Sequence, residues 1–326
     1  MSESALIKEP QSASSVLMVR PARFGFNAET AASNAFQERP GPDGQADLQA
    51  LAVREFDRLV EQLRRSGLDV IVVEDTPEPV KPDALFPNNW VSFHHDGTVV
   101  LYPMLAPNRR IERREEVIRE VLAAGAFRTT RTVDLSYREM QGKYLEGTGS
   151  LVLDRSGRIA YANLSSRTDL DVLGEFAQQL DYELVTFESV DGADRAVYHT
   201  NVMMAVGTGF AVVCGASITQ SRHREAVYSK LRASGREVVE ISLEQMHHFA
   251  GNLIELSPAG STLIALSTSA WRSLEAGQRR ALEKYGHIVA ADIPVIERFG
   301  GGGVRCMLAE IHLPARAQEL AAALMS

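Results

Sequence analysis

Residues 16–21 read VLMVRP and residues 304–313 read VRCMLAEIHL. These β-rich runs stand at opposite ends of the chain, yet together they complete one copy of a unit that recurs between them. Each copy reads strand, strand, helix, strand. The first strands open near Asn89 (WVSF), Gly149 (SLVL), Asn201 (VMMAV), Asn252 (LIEL) and Val304 (CMLAEIHL). The second strands are VVLYPM, IAYANL, AVVCGASI and TLIALS, with VLMVRP at the front of the chain. A spacing of about 50–60 residues is the mark of a repeat architecture. A chain whose two ends complete one repeat is most simply a closed ring. Equivalent positions in a ring converge on its axis, so residues far apart in sequence can share one site.

Helices are expected after the second strands. Residues 47–65 place Leu48, Leu51, Ala52, Leu59 and Leu63 on one stripe and stop at Gly67. Residues 109–124, 222–234 and 271–285 stop at Gly125, Gly235 and Gly286, since glycine accepts the left-handed turn that ends a helix. The remaining helix, about residues 168–180, ends at Asp181. The third strands are VIVVE, FRTTRTVDL, YELVTF, EVVEIS and HIVAADI. The pattern is α/β, with helices outside and strands toward the axis. It predicts a disordered leader over residues 1–15, one catalytic domain over 16–313 and a last helix over 314–326. Residues 27–45 and 74–88 read as long loops, a length common in lids and binding loops.

Composition narrows the function. The chain has 326 residues, of which 45% are hydrophobic and 23% charged, an ordinary soluble balance. A formal charge of −8 argues against a nucleic-acid surface. Residues 200–220 carry no charge and approach the length of a membrane span. The turn signal Gly207-Thr208-Gly209, flanked by β-branched runs, makes them a buried hairpin instead. Residues 1–15 have no secretory h-region. Two cysteines in different repeats suggest free thiols and a reducing cytoplasm.

Three residues at equivalent ring positions carry the chemistry. Cys306 follows four glycines in GGGGVRCM; such a run costs folding entropy and suggests close approach beside a nucleophile. The bland alternative, a small buried cysteine, suffices for Cys214. His199, in AVYHTNVMM, holds the matching position, and Cys plus His is the minimum for an activated thiol. Glu146, in LEGTGSL, stands one repeat earlier and can hold a histidine tautomer. Asn88, Asn89 and Asn201 offer neutral donors and acceptors there. Arg109 and Arg110 open a basic run that could reach an α-carboxylate. His94-His95 and His247-His248 lack partners at metal-ligand spacing; solvated loops are expected, with no metal. No cofactor motif appears.

Together these residues resemble the amidinotransferase / arginine-deiminase (pentein) superfamily, the guanidine-modifying enzymes built as five-bladed α/β propellers. The resemblance covers about residues 16–313 and is strongest to the citrulline-utilisation hydrolases. It rests on the glycine-rich segment with Cys306, H-x-[DN]-V at His199 and E-G-x-x-[DS]-L at Glu146. It implies Cys306 as nucleophile, His199 as general acid/base and Glu146 as the acidic partner, with no cofactor. Where many relatives carry guanidinium-pairing acids, this chain has Asn89 and Asn201, which suits a neutral ureido group. The expectation is a hydrolase of a linear C–N bond, citrulline first, with a small amino-acid partner and a homodimer as one assembly open to it. Arginine or methylarginine deimination, dimethylarginine hydrolysis and amidino transfer are the alternatives. A non-catalytic pentein-type binding protein is the alternative of another class. Fast labelling of Cys306 relative to Cys214 is the expected sign of an enzyme.

Overall fold

The computed structural model describes residues 9–41 and 47–315. Its strands are β1 (Ser15–Arg20), β2 (Asp69–Glu74), β3 (Val91–Phe93), β4 (Thr98–Leu101), β5 (Arg131–Asp134), β6 (Leu151–Asp154), β7 (Ile159–Asn163) and β8 (Glu183–Phe187). They continue as β9 (Met204–Val206), β10 (Phe210–Val213), β11 (Glu237–Glu240), β12 (Ile254–Leu256), β13 (Leu263–Ser267), β14 (His287–Ala291) and β15 (Ala309–Ile311). Five helices join second to third strands: α1 (Leu48–Arg65), α2 (Glu115–Ala124), α3 (Leu170–Leu180), α4 (Ser221–Ala233) and α5 (Ala276–Glu283).

One pairing rule governs all five units. In β3–β4–β5, β6–β7–β8, β9–β10–β11 and β12–β13–β14, the first two strands are antiparallel and the last two parallel. The fifth unit is assembled from the chain ends. β15 pairs antiparallel with β1 in the register Val16↔Glu310 and Leu17↔Ala309, and β1 runs parallel to β2. A parallel pair requires a crossover, here the helix. A bridge from Ile311 to Phe93 joins two units into one six-stranded sheet. The α/β class and the uncharged hairpin β9–β10 therefore follow the sequence pattern.

Local chemistry explains where helices start and stop. The side chain of Asp169 accepts from the amides of Asp171 and Val172, capping α3, and Asp181 takes the left-handed conformation (φ 55°) at its end. Helix α1 buries Leu48, Ala52, Phe56, Leu59 and Leu63, and Phe56 packs in one cluster with Val16, Met18, Leu263 and Val289. That cluster straddles two neighbouring units, so packing couples repeats that share few strand bonds.

Several expectations need correction. The helices expected over 109–124 and 271–285 are each broken, into Pro107–Arg110 and α2, and into Thr268–Ser273 and α5. His94 is buried, its Nε2 within 2.8 Å of Ser92 Oγ, because its ring packs against Phe176; His247 and His248 are exposed as expected. Cys306 lies not on a strand but on the 3-10 turn Val304–Met307 ahead of β15. Residues 9–15 are not a disordered leader. Gln11 donates to the carbonyls of Leu153 and Val206, 2.9 and 3.0 Å away. Buried Glu9 pairs with Arg155 at 3.0 Å and Arg158 at 2.7 Å. These bonds fasten a segment whose polar composition resembles a tail. Residues 1–8 and the expected last helix beyond Ala315 lie outside the described residues.

Removing one partner of a buried ion pair strands the other charge, at about 3–5 kcal/mol. Glu9→Ala is therefore expected to lower the unfolding free energy measured by denaturant titration, by less than that figure because Arg155 keeps Glu310 at 3.9 Å and Arg158 reaches solvent. An unchanged unfolding free energy would return residues 9–15 to the status of a tail.

Candidate active site

The chemistry-bearing residues sit on the turn preceding each unit's first strand. Asn88 and Asn89 lie on Pro87–Asn89, Glu146 precedes Gly147–Ser150, His199 precedes Thr200–Met203, and Cys306 lies on Val304–Met307. The fourth unit contributes Asn252, two residues before β12. Small residues let these turns approach one another. A Cβ on Gly149 would stand 2.6 Å from Asn89 Nδ2 and 2.7 Å from His199 Nδ1.

A narrow cavity of about 10 Å³, roughly the room of one water, has Cys306, His199, Asn89 and Arg109 in its walls. Residues from both long loops join them: Thr30 and Asn34 from one, Asp83 and Phe86 from the other. The glycine run serves these loops. Asn34 Nδ2 donates to Gly301 O at 3.1 Å, and a Cβ on Gly302 would stand 3.0 Å from the Phe86 ring. The glycines thus admit neighbouring side chains and leave Cys306 facing the cavity.

Glu146 stands behind the wall as a fully buried anchor. Its Oε2 is 2.8 Å from His199 Nε2 and 3.2 Å from Arg167 Nη1, and its Oε1 accepts from the Leu105 amide at 3.1 Å. Burial alone would raise this carboxyl, but the Arg167 charge and the histidine bond outweigh it and hold it well below the usual range. His199 is lowered to about 4, by burial first, against the opposing pull of Glu146. Burial also pushes the Cys306 thiol up, although the amides of Asn252 and Asn201 oppose it. The resting pair is thiol and neutral imidazole.

Arg109 is placed differently from a free carboxylate-binding cation. It is 2% exposed and holds Glu112 through two bonds of 3.0 and 2.9 Å. Its remaining nitrogen, Nη1, donates to Asn89 Oδ1 at 2.8 Å. Arg110 lies outside the cavity walls, bonded to the carbonyls of Met104 and Leu105. Asn88 and Asn201 are buried beside the cavity; Asn89 Nδ2 donates to Asn88 Oδ1 at 3.1 Å.

Asp83, Arg167, Tyr198 and Asn252 escaped the sequence reading, as did Thr30, Asn34 and Phe86 of the two long loops. Asp83 is buried with Oδ1 unpartnered, while Oδ2 accepts from Asn27 at 2.8 Å. Only Asn252 carried a legible signal, its repeat position. No cluster of three or more His, Cys, Asp or Glu among the described residues could hold a metal. No described helix is long and apolar enough to cross a membrane.

Both cysteines are buried with raised thiols, by burial first in each case. Slow labelling of both thiols is therefore expected in the free protein at neutral pH. Neutral His199 can accept the thiol proton at any pH above about 4. The acid limb of kcat/KM is expected near that value rather than at the ordinary histidine 6.5, and the alkaline limb above the ordinary thiol value of 9.0. A rate profile with its acid limb near 6.5 would mean that His199 is solvated.

Comparison with known proteins agrees with this architecture. The family described as N,N dimethylarginine dimethylhydrolase, eukaryotic, matches residues 20–313. No match emerges among curated protein sequences. Among solved structures, the N-terminal domain of ArgZ, an arginine dihydrolase from the ornithine–ammonia cycle in Cyanobacteria, is 17% identical with a TM-score of 0.70. That match covers 92% of this chain and 99% of the ArgZ domain. Unliganded AgrE is 19% identical at TM-score 0.70, over 93% of this chain and 40% of AgrE, so this chain spans well under half of that protein. A dimethylarginine dimethylaminohydrolase variant, as its adduct with S-methyl-L-thiocitrulline, is 15% identical at TM-score 0.63, over 92% of this chain and all (100%) of the other. These likenesses establish the shared pentein fold. The chain belongs to the N,N-dimethylarginine dimethylhydrolase family and is a hydrolase of non-peptide C–N bonds.

Proposed function

We propose that this protein hydrolyses a linear C–N bond of a ureido amino acid, citrulline first, through a covalent intermediate on Cys306. The observation that carries the proposal is the bond from Arg109 to Asn89. A guanidinium has only donors, so the Asn89 amide must turn its oxygen to Arg109. Its NH₂ then faces Asn88 Oδ1 and the region of Gly149 and His199. A ureido group offers a carbonyl oxygen to that donor, whereas a guanidinium offers none. Glu146 is no substitute partner for a cation, since Arg167, His199 and the Leu105 amide already occupy its oxygens.

His199 takes the thiol proton, Sγ attacks the ureido carbon, and the C–N bond breaks as His199 returns the proton to the departing nitrogen. Water, deprotonated by the same imidazole, then cleaves the thiocarbamate. Cleavage at either C–N bond leaves a carbamic acid that loses CO₂, so ornithine, ammonia and CO₂ result in both cases. The unpartnered Oδ1 of Asp83 suits the substrate ammonium. Arg167, bonded to Ser33 Oγ at 2.8 Å and Thr30 O at 3.1 Å, suits its carboxylate by exchange of those loop contacts. Within the same proposal, the five units close as one pentein propeller in a single domain. Two free cysteines suit a reducing cytoplasm, and a homodimer is compatible with the fold. A second reading, hydrolysis of arginine or dimethylarginine, follows from the family name.

Removing one preorganised donor to a developing oxyanion costs about 10²–10³ in rate. Asn89→Asp turns that donor into an acceptor and is expected to lower kcat/KM for citrulline by that factor. The test is a product screen with citrulline, arginine and dimethylarginine on both proteins. Citrulline converted to ornithine with little use of arginine supports the proposal. Arginine or dimethylarginine preferred by the unmodified enzyme would replace it with the second reading.

A further inference from the structure

Asn252 lies outside the cavity walls and belongs to none of the motifs that resemble the superfamily, yet its side chain touches the sulfur. It is fully buried. Its Oδ1 accepts the Arg305 amide at 3.1 Å, and its Nδ2 donates to Asn201 O at 2.9 Å. Two backbone groups of opposite kind therefore fix which way the amide faces. One N–H is left over, and Nδ2 stands 3.3 Å from Cys306 Sγ. The Asn201 side chain completes the surroundings, with Nδ2 at 3.7 Å and Oδ1 at 3.8 Å from the same sulfur.

We propose that Asn252 is a catalytic residue whose side-chain N–H, seconded by that of Asn201, seats the Cys306 thiolate. The proposal rests on Cys306 being the nucleophile and is independent of which amino acid is hydrolysed. In the resting enzyme the thiol proton can point at Asn201 Oδ1. When His199 removes that proton, sulfur keeps the electron pair and accepts the two amide N–H groups. Sulfur then attacks carbon from the side facing the cavity, because both donors stand behind it. Hydrogen bonds to the charged form are what lower an acid's pKa in a buried site, and here they come from neutral amides held rigidly. Gly303 is part of the device: a Cβ there would stand 2.6 Å from Asn252 Oδ1 and displace the amide.

The test is a thiolate titration of Cys306 by ultraviolet absorbance in a Cys214→Ala background, alongside kcat and KM. Asn252→Ser removes the nearer donor while its hydroxyl can still accept the Arg305 amide. It is expected to shift the thiol titration upward by about one unit and to lower kcat by at least about tenfold, with KM little changed. Asn201→Ser, which removes the longer contact, should shift the titration in the same direction by less. A folded Asn252→Ser protein that titrates like its parent overturns the proposal. If that variant does not fold, an unshifted titration in Asn201→Ser overturns it instead. Cys306→Ala retaining turnover would refute the thiol mechanism itself, a failure separate from either titration result.

Discussion

A buried guanidinium organises this site. Arg109 holds Glu112 bidentately, stands 3.7 Å from Asp83 and 3.9 Å from Glu146, and donates to Asn89. Charges so deeply buried persist only when paired and hydrogen-bonded. Arg109 thus ties the first unit's turn to the long loop holding Asp83 and to the carboxylate bonded to His199. It also decides which end of the Asn89 amide is presented to a ligand. A lysine could not replace it, because a point charge lacks the fork that spans Glu112 and Asn89 at once.

The electrostatics around Cys306 follow from the same burial. Cys306 and His199 rest in their neutral forms, because desolvation outweighs the partners available to each. On the mechanism proposed above, the thiol proton passes to His199 when substrate fills the cavity, and the amides of Asn252 and Asn201 receive the charge. Burial strengthens such amide bonds, because a low local dielectric screens them weakly.

Much of this was legible in the sequence, for identifiable reasons. Each unit's β-rich runs are bounded by turns and joined by an amphipathic helix, so the strands and the joining of the chain ends could be read from residues 16–21 and 304–313. The short turns before the first strands could not, because three or four residues have no period to detect. Asn252 occupied the equivalent place in the fourth unit, but asparagine at a strand end ordinarily signals a turn. Arg167 and Asp83 belong to the site only through folding: Arg167 reaches back to Glu146 across 21 positions, and Asp83 arrives on a loop. The Arg109–Glu112 pairing was written at i,i+3 spacing, but a basic run conceals which arginine turns inward. Residues 9–15 read as a tail because what fastens Glu9 and Gln11 lies far along the chain.

The proposed substrate preference depends on the direction in which the Asn89 amide faces. The most direct measurement is a crystal structure of the Cys306→Ala protein with citrulline bound. The expected result is the ureido oxygen within hydrogen-bond distance of Asn89 Nδ2, with Asn89 Oδ1 still on Arg109. A ligand whose ureido oxygen turns away from Asn89, or an Asn89 released from Arg109, would contradict it.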